Sequence, residues 1–178
     1  GHHLLELINE VLDLARIESG RLTLSIEEVR LADVLGEALP IADALAEQKG
    51  VTLEPPDLAP LKALWVRTDF TRYKQVLLNF LSNAVKYNRA DGRVWITVGP
   101  APGDDGMTRV AIHDTGLGIP EDKLGELFQP FSRLGAETSD IEGTGIGLAL
   151  TKELAERLGG GVGVDSTAGA GSVFWVDM

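Results

Sequence analysis

The sequence predicts an α+β protein in which one helix precedes a single domain of mixed helices and strands. Long segments with apolar residues at helical spacing are interspersed along the chain with short segments of strictly alternating polarity, which is the pattern of half-buried strands. The 178 residues are 44% hydrophobic and 24% charged, as is typical of a globular domain that buries a sizeable core. We expect the helix at residues 1–20 and the domain at residues 21–178.

Composition and charge exclude several classes of protein. The net charge is −11, and no cluster of basic residues offsets it, so no nucleic-acid partner is expected. The chain has no cysteine, which excludes disulfides and thiolate chemistry. No apolar run reaches membrane-spanning length and no signal peptide is visible, so we expect no membrane contact by this chain. A cytoplasmic location fits, and a longer parent protein can still be membrane-anchored.

The first helix pattern covers residues 2–19 and ends at Gly20, a residue suited to stopping a helix. Nothing in the pattern ties this helix to the domain behind it. We therefore expect its apolar stripe to pair with a second helix from outside this chain rather than to join the core. The stripe consists of Leu4, Leu5, Ile8, Val11, Leu12 and Ala15.

The rest of the chain alternates between strand and helix patterns. Pro40 lies inside the helix pattern of residues 31–48 and predicts a kink or break there. Residues 134–142 are polar and aperiodic, which predicts a mobile loop. Strands are predicted at residues 22–29, 51–53, 63–67, 93–98, 108–114, 162–165 and 172–177. Further helices are predicted at residues 69–88, 121–127 and 143–160.

The helix at residues 69–88 carries an unusual polar stripe. Asp69 is the predicted N-cap. A solvated face is the usual interpretation of such a stripe. However, Asn79 and Asn83 lie one turn apart, and asparagine is a poor residue for a helix interior. Amide oxygens are hard, neutral ligands suited to Mg²⁺. The stripe therefore indicates either a solvated face or a metal site, and its members are Arg72, Gln75, Asn79, Asn83 and Lys86.

The segment DTGLGIP places the carboxylate of Asp114 at the end of a predicted strand, followed by Gly116 and Gly118. The glycines let a flat ligand approach the backbone, and the carboxylate can accept a hydrogen bond from an exocyclic amine such as that of adenine. A plain turn is the common alternative. Aspartic proteases share the Asp-Thr-Gly tripeptide, but they pair two carboxylates in a mostly β framework, which this chain does not offer.

A second glycine-rich motif, Gly143-Thr144-Gly145-Ile146-Gly147, precedes a predicted helix. Exposed N–H groups and the helix dipole favour phosphate binding at such a helix start. A dinucleotide-binding fold, with Asp165 as the ribose-binding acid, is the competing interpretation. It is disfavoured because the third glycine of that fingerprint would fall at Leu148 and because no strand precedes the motif.

A short aromatic segment lies between the two glycine motifs. Phe128 and Phe131 are most simply explained as packing residues. Arg133 follows them beside the polar loop, where its planar fork is suited to a terminal phosphate. Lys86 can serve the same purpose as a point charge.

Taken together, these segments resemble the catalytic, ATP-binding domain of sensor histidine kinases, of the Bergerat or GHKL type. LLNFLSNAVKY is similar to the N box, DTGLGIP to the first glycine box, LFQPFSR to the F box and GTGIGLAL to the second glycine box. LLELINEVLDLARIESGRL resembles the end of the second dimerisation helix of the same kinases. The resemblance implies a two-layer α/β sandwich, with a mixed sheet covered by helices on one face.

The resemblance also implies roles for particular residues and the ligands ATP and Mg²⁺. Asn83 would coordinate Mg²⁺ with Asn79 beside it, Asp114 would bind the adenine amine, and residues 132–142 would form a lid. The residues assigned to catalysis are Asn79, Lys86 and Arg133. The residues assigned to ATP binding are Asn83, Tyr87, Asp114, Gly116, Gly118, Ile119, Phe131, Gly143, Thr144, Gly145, Gly147 and Leu148.

One departure concerns the phosphate acceptor, which in this family is a histidine followed by glutamate on the first dimerisation helix. The three histidines here are His2, His3 and His113, and none lies in such a segment. His113 alternates with Asp114 and is expected on the opposite face of the sheet. The resemblance therefore implies transfer to a histidine-bearing dimerisation domain of the parent kinase and, through it, to a response regulator. Residues 4–17 would support at most a weak homodimer.

Two other functions stay open at this point. Clamp-type ATPases of the gyrase, mismatch-repair and heat-shock groups resemble this fold but carry a glutamate where Asn79 stands. That glutamate activates water, and an amide cannot take the proton. A non-catalytic nucleotide-sensing module is the other alternative, and the complete set of expected binding positions argues against it.

Overall fold

A five-stranded mixed sheet with helices packed on one face makes up most of the protein. The structure is a computed structural model that describes residues 23–103, 106–128 and 147–178, together with Ile8, Leu12, Ala15, Arg16, Ser19 and Gly20. The helices are α1 Leu31–Lys49, α2 Phe70–Lys86 and α3 Gly147–Arg157, with short 3-10 helices at Pro60–Ala63 and Glu121–Glu126. The strands are β1 Glu27–Arg30, β2 Thr52–Glu54, β3 Trp65–Thr68, β4 Arg93–Pro100, β5 Thr108–Asp114, β6 Gly161–Thr167 and β7 Gly171–Asp177.

The main sheet has the strand order β2-β4-β5-β7-β6. Strand β2 pairs parallel to β4, whereas all other neighbours in this sheet are antiparallel. Strands β1 and β3 form a separate antiparallel pair. The predicted α+β class and the two-layer arrangement implied by the resemblance are confirmed.

The core lies between the helices and one face of the sheet. Alternate residues of β4, β5 and β7 point to this side, as the period of two along a strand requires. Phe80 of α2 is fully buried and lies against Phe174 of β7, with ring centroids 5.4 Å apart. The apolar residues of β4, β5 and β7 that are buried on this face are Val94, Ile96, Val110, Ile112, Phe174 and Val176.

The opposite face of the sheet carries aromatic and charged side chains. His113 stacks on Trp95 with ring centroids 5.1 Å apart, and its Nε2 lies 2.9 Å from Thr97 Oγ1. Arg109 forms an ion pair with Asp177 at 2.8 Å. His113 thus lies on the face away from Asp114, as the strand alternation predicts.

Helix α1 continues through Pro40 without the predicted break. Proline removes one helical hydrogen bond, the one to the carbonyl four residues earlier. The carbonyl that lacks its donor belongs to Gly36, which is exposed. Water can therefore donate to this carbonyl in place of the missing N–H. The helix ends instead at Gly50, whose φ of 70° is the left-handed conformation that glycine adopts easily.

Two strand predictions differ from the structure because pairing limits strand length. The strand predicted at residues 22–29 is observed only at Glu27–Arg30, opposite the four residues of β3. The start of the strand predicted at residues 63–67 is instead the end of the 3-10 helix Pro60–Ala63. Strand ends follow the partner strand, which local alternation does not reveal.

The described positions near the start of the chain are helical at Ile8, Leu12, Ala15 and Arg16. Ile8 and Leu12 are 47% and 48% exposed, so the described residues leave these members of the predicted stripe uncovered. Gly20 has a φ of 73°, consistent with a helix stop. The domain boundary at residue 20 and the pairing of this helix stay predictions. None of the helices in the described parts of the chain combines the length and apolarity that a membrane span requires.

Candidate functional site

Helix α2 presents the predicted polar stripe beside α3. Asp69 caps α2, since its Oδ1 accepts the Arg72 N–H at 3.0 Å. Further along the stripe, Asn79 Nδ2 donates to Thr151 Oγ1 at 2.8 Å. Thr151 is fully buried in α3. This bond orients the Asn79 amide so that the oxygen remains available as an acceptor.

The end of α2 contacts the loop after β5. The N–H of Tyr87 donates to the carbonyl of Asn83 at 3.0 Å, and the carbonyl of Tyr87 accepts the Leu117 N–H at 3.3 Å. Asn83 and Lys86 are half-buried in the last turns of α2. The structure therefore brings the end of the polar stripe next to the loop that contains the first glycine motif.

Asp114 ends β5 on the face that packs against the helices. It lies opposite Val94 of β4 and Ser172 of β7. Its Oδ1 accepts the N–H of Gly116 at 2.8 Å. Burial raises the pKa of Asp114 from 3.8 to about 6, and the N–H groups of Gly116 and Ser172 oppose this rise. The carboxylate is therefore ionised at neutral pH and can accept a hydrogen bond from a ligand, although it is costly to bury.

Both glycines of the first motif fill positions where a side chain has no room. A Cβ on Gly116 would lie 2.5 Å from the carbonyl oxygen of Tyr87 and 2.8 Å from Asp114 Oδ1. Gly118 has a φ of 69°, and a Cβ there would overlap the carbonyl of Thr167. The loop thus passes close to α2 on one side and to the β6–β7 hairpin on the other.

We expect Gly118→Ala to destabilise the protein by roughly 2–4 kcal/mol, because the left-handed backbone and the overlap with backbone atoms both oppose a methyl group. Gly125→Ala is the matched control. Gly125 lies in the 3-10 helix Glu121–Glu126, and a Cβ added there would meet none of the described atoms within 4 Å, so a change of about 0.5 kcal/mol or less is expected. Urea unfolding measures both, and equal losses in the two variants would contradict this account of Gly118.

The hairpin β6–β7 forms the far wall of the glycine loop. The N–H of Gly169 donates to the carbonyl of Leu117 at 2.7 Å, and the N–H of Ile119 donates to Ser166 Oγ at 2.8 Å. Ser166 Oγ also lies 2.7 Å from Ser172 Oγ. The segment GAGSVF, which contains Ser172, resembles the last glycine-rich segment of the family and predicts a tight hairpin. Sequence reasoning missed Ser166 and Thr151, since nothing in their local sequence distinguishes them from ordinary polar residues.

The remaining candidate residues are divided between the described and undescribed parts of the chain. Gly147 begins α3, and Leu148 and Ile119 are half-buried against the core. The other candidates and the lid predicted at residues 132–142 lie outside the described residues. These other candidates are Phe131, Arg133, Gly143, Thr144 and Gly145.

Candidate ligands for a hard cation are the amide oxygens of Asn79 and Asn83, which are four residues apart on α2 and therefore share one face of the helix. In the described ranges, no three His, Cys, Asp or Glu side chains come together as a metal cluster. Two neutral amides bind a divalent cation well only when a bound small molecule supplies anionic oxygens to the same cation. The stripe thus fits a cation that arrives with phosphate.

The chain belongs to the family of histidine kinase-, DNA gyrase B- and HSP90-like ATPases, whose model matches residues 68–178. The resemblance inferred from the four sequence boxes is confirmed.

Two curated relatives are sensor proteins much longer than this chain. The circadian input-output histidine kinase CikA of Synechococcus elongatus is 39% identical over 99% of this chain, which spans 23% of that protein. The virulence sensor protein BvgS of Bordetella bronchiseptica is 37% identical over 98% of this chain, which spans 14% of that protein. Among solved structures, full-length ShkA in complex with AMPPNP is similar to this chain, with a TM-score of 0.80 and 31% sequence identity. The alignment covers 98% of this chain and 35% of the ShkA chain. The chain is therefore a catalytic module of the sensor histidine kinase type.

Proposed function

We propose that this chain binds Mg-ATP between α2 and the loop after β5 and presents the γ-phosphate to a histidine outside the chain. The observation that carries the proposal is Asp114. Its carboxylate faces the helix layer at the end of β5, and it is held by the N–H of Gly116 at 2.8 Å beside a loop that excludes side chains. A partly buried, ionised acceptor next to exposed backbone suits the exocyclic amine of adenine.

The polar stripe of α2 supplies the phosphate end of the proposed site. Asn83 is the proposed metal ligand, and Asn79, oriented by Thr151, lies one turn before it. Lys86 follows on the same face, where its charge can reach a phosphate oxygen. Mg²⁺ held there would supply positive charge that offsets the negative charge developing on the phosphate during transfer.

The solved relative supports nucleotide binding by this fold. ShkA was crystallised with AMPPNP, an ATP analogue, and this chain superposes on it with a TM-score of 0.80 over 98% of its length. The family description also names ATPases. The proposal carries the nucleotide to this chain because Asp114, the glycine loop and the stripe of α2 surround one region of the described structure.

The partners follow from the same proposal. A histidine-bearing dimerisation domain of the parent protein would accept the phosphate and pass it to a response regulator. Residues 1–20 would be the end of the second dimerisation helix, and their exposed positions Ile8 and Leu12 suit contact with another helix. Alone, this stretch is short enough that only a weak homodimer is expected.

We expect Asn83→Ala to weaken Mg-ATP binding about tenfold or more while leaving metal-free ATP binding nearly unchanged, because the change removes a metal ligand and no contact to the base. Isothermal titration calorimetry with Mg²⁺ and with a chelator measures both affinities. Ser82→Ala, a half-buried neighbour on α2, is the control and should match the unaltered protein. Equal loss with and without metal would assign Asn83 a structural role and overturn the proposed metal site.

A further inference from the structure

Arg89 joins the loop that follows Asp114 to the turn between β6 and β7. Its Nη2 donates to the carbonyl of Gly116 at 3.1 Å and to the carbonyl of Gly169 at 2.8 Å. Gly116 belongs to the glycine loop, residues 115–119, and Gly169 to the turn between β6 and β7. One guanidinium nitrogen thus joins segments that are 27 and 80 residues away from Arg89 in the sequence.

We propose that Arg89 is a positioning residue for adenine recognition, which holds the glycine loop against the β6–β7 turn so that Asp114 keeps its ligand-binding orientation. The inference rests on the proposed adenine site and adds to it a residue that never touches the nucleotide. It also assigns the β6–β7 turn a function as the fixed wall of that site.

The glycine loop needs such an anchor because it has few side chains of its own with which to hold its place. Gly116 and Gly118 contribute only backbone, and Leu117 is 56% exposed. Backbone groups hold its middle: Gly169 N–H donates to Leu117 O at 2.7 Å and Leu117 N–H donates to Tyr87 O at 3.3 Å. Side-chain contacts are confined to its two ends, where Thr115 Oγ1 accepts the Arg93 N–H at 2.9 Å and Ile119 packs against the core. Arg89 adds a charged donor to these contacts, and charged hydrogen bonds are roughly twice as strong as neutral ones.

A short path leads from Arg89 to the carboxylate. Arg89 holds the carbonyl of Gly116, and the N–H of the same residue donates to Asp114 Oδ1 at 2.8 Å. Rotation of Gly116 after loss of the guanidinium would remove that donor from the carboxylate. Asp114 would then lose orientation and one of the two N–H groups that stabilise its charge.

The loss of the Gly116 N–H can be measured through the pKa of Asp114. Burial and the N–H groups of Gly116 and Ser172 set its pKa within the described structure, with no contribution from a charged side chain. Arg89, which donates to the carbonyl of Gly116, and Arg93, whose N–H donates to Thr115 Oγ1, are charged residues that contact the adjoining loop, and neither is a cause of the shift. Loss of the Gly116 N–H therefore raises the pKa of Asp114 further.

The test compares Arg89→Met, Arg89→Lys and the control Arg67→Met. Arg67 is also an exposed arginine, 4.0 Å from Glu28 across β1–β3. The dissociation constant of ADP is measured from pH 5 to pH 8, together with urea unfolding. Titration of the ADP phosphates is common to all variants, so differences between variants report on the protein.

We expect Arg89→Met to weaken ADP binding about three- to tenfold, as for two hydrogen bonds at the surface, and to move the pH midpoint of binding upward. Arg89→Lys should recover part of the affinity, because an ammonium keeps the charge and can donate to both carbonyls, but it stands on a shorter side chain. Arg67→Met should leave both readouts unchanged.

A lowered unfolding free energy in Arg89→Met, with unchanged affinity and pH midpoint in the folded protein, would overturn the positioning role and leave only a structural one. That outcome leaves the proposed function intact. If the unaltered protein binds ADP with no preference over GDP and no pH midpoint near 6, the proposed adenine site itself fails, and the inference about Arg89 fails with it.

Discussion

We expect this 178-residue chain to bind ATP but to release phosphate on the order of 10²–10⁴-fold more slowly than the clamp-type ATPases, and to carry no stable phosphate itself. The factor is the usual contribution of a general base. By the resemblance of LLNFLSNAVKY to the N box, Asn79 would stand where those ATPases have a glutamate, and an amide cannot accept the proton of attacking water. In the structure, the Nδ2 of Asn79 donates to Thr151 Oγ1 at 2.8 Å. This hydrogen bond orients the amide but does not make it a base.

His113 is the histidine within the described residues, and its position argues against self-labelling there, whereas His2 and His3 lie outside the described residues and outside any acceptor segment. His113 lies on the face of the sheet opposite Asp114, stacked on Trp95, with Nε2 2.9 Å from Thr97 Oγ1. A phosphate bound along α2 would be separated from it by the sheet. Burial also lowers the pKa of His113, so the imidazole is neutral at pH 7. A neutral imidazole is a nucleophile, but the sheet separates this one from a phosphate on α2.

The measurement is incubation with γ-labelled ATP, following label on the protein and released phosphate separately. Asn83→Ala, assayed at an ATP concentration below its weakened Mg-ATP affinity, reports any contaminating ATPase, since its own phosphate release should fall while that of a contaminant stays unchanged. His113→Gln should behave as the unaltered protein. Stable label on the chain, or phosphate release at the rate of the clamp-type enzymes, would contradict the assignment. Addition of a separate dimerisation domain with its histidine is the positive control for transfer.

The second large effect is expected for Asp114→Asn, which should weaken ATP binding about tenfold or more. The substitution keeps the shape of the side chain but can turn an amide donor toward the donor amine of adenine. An unpaired buried polar group costs about 1–3 kcal/mol, and about 1.4 kcal/mol corresponds to a factor of ten in affinity. ATP and GTP binding to both proteins, measured by calorimetry, tests the role. Equal affinity of the unaltered protein for ATP and GTP would remove Asp114 from base recognition.

The raised pKa of Asp114 makes its contribution pH-dependent. With a pKa of about 6, the carboxylate is mostly ionised at pH 7 and mostly protonated at pH 5. Nucleotide affinity that depends on the ionised acceptor should therefore fall about tenfold between these values. Asp114→Asn should lack this component and keep only the titration of the nucleotide phosphates. The same fall in both proteins would show that Asp114 does not titrate in binding.

Lowering the pH should change the free energy of unfolding and the nucleotide affinity in opposite directions. Since burial raises the pKa of Asp114 above its ordinary value, the ionised group destabilises the folded protein at neutral pH. This cost fades as the pH falls through 6 toward 3.8. The unaltered protein should thus gain stability relative to Asp114→Asn as the pH is lowered from 7 to about 4.5. The difference in unfolding free energy between the two proteins at these pH values measures the effect.

Much of the candidate site could be predicted from the sequence because its parts are local. The spacing of apolar residues and the cap at Asp69 define α2 within one segment, and thereby place Asn79, Asn83 and Lys86 on one stripe. Strand alternation likewise assigns Asp114 and His113 to opposite faces of β5. These features depend on periods of 3.6 and 2 residues, so neighbouring residues suffice to specify them.

Tertiary structure decided the features that depend on residues distant in the chain. The separate β1–β3 pair shortened the strand predicted at residues 22–29. The bond from Asn79 to Thr151 spans 72 residues, and the bond from Arg89 to Gly169 spans 80. Neither Thr151 nor Arg89 belongs to a distinctive local pattern. The raised pKa of Asp114 likewise arises from burial that the packed helices and sheet create, since desolvation depends on which segments meet in space rather than on sequence neighbours.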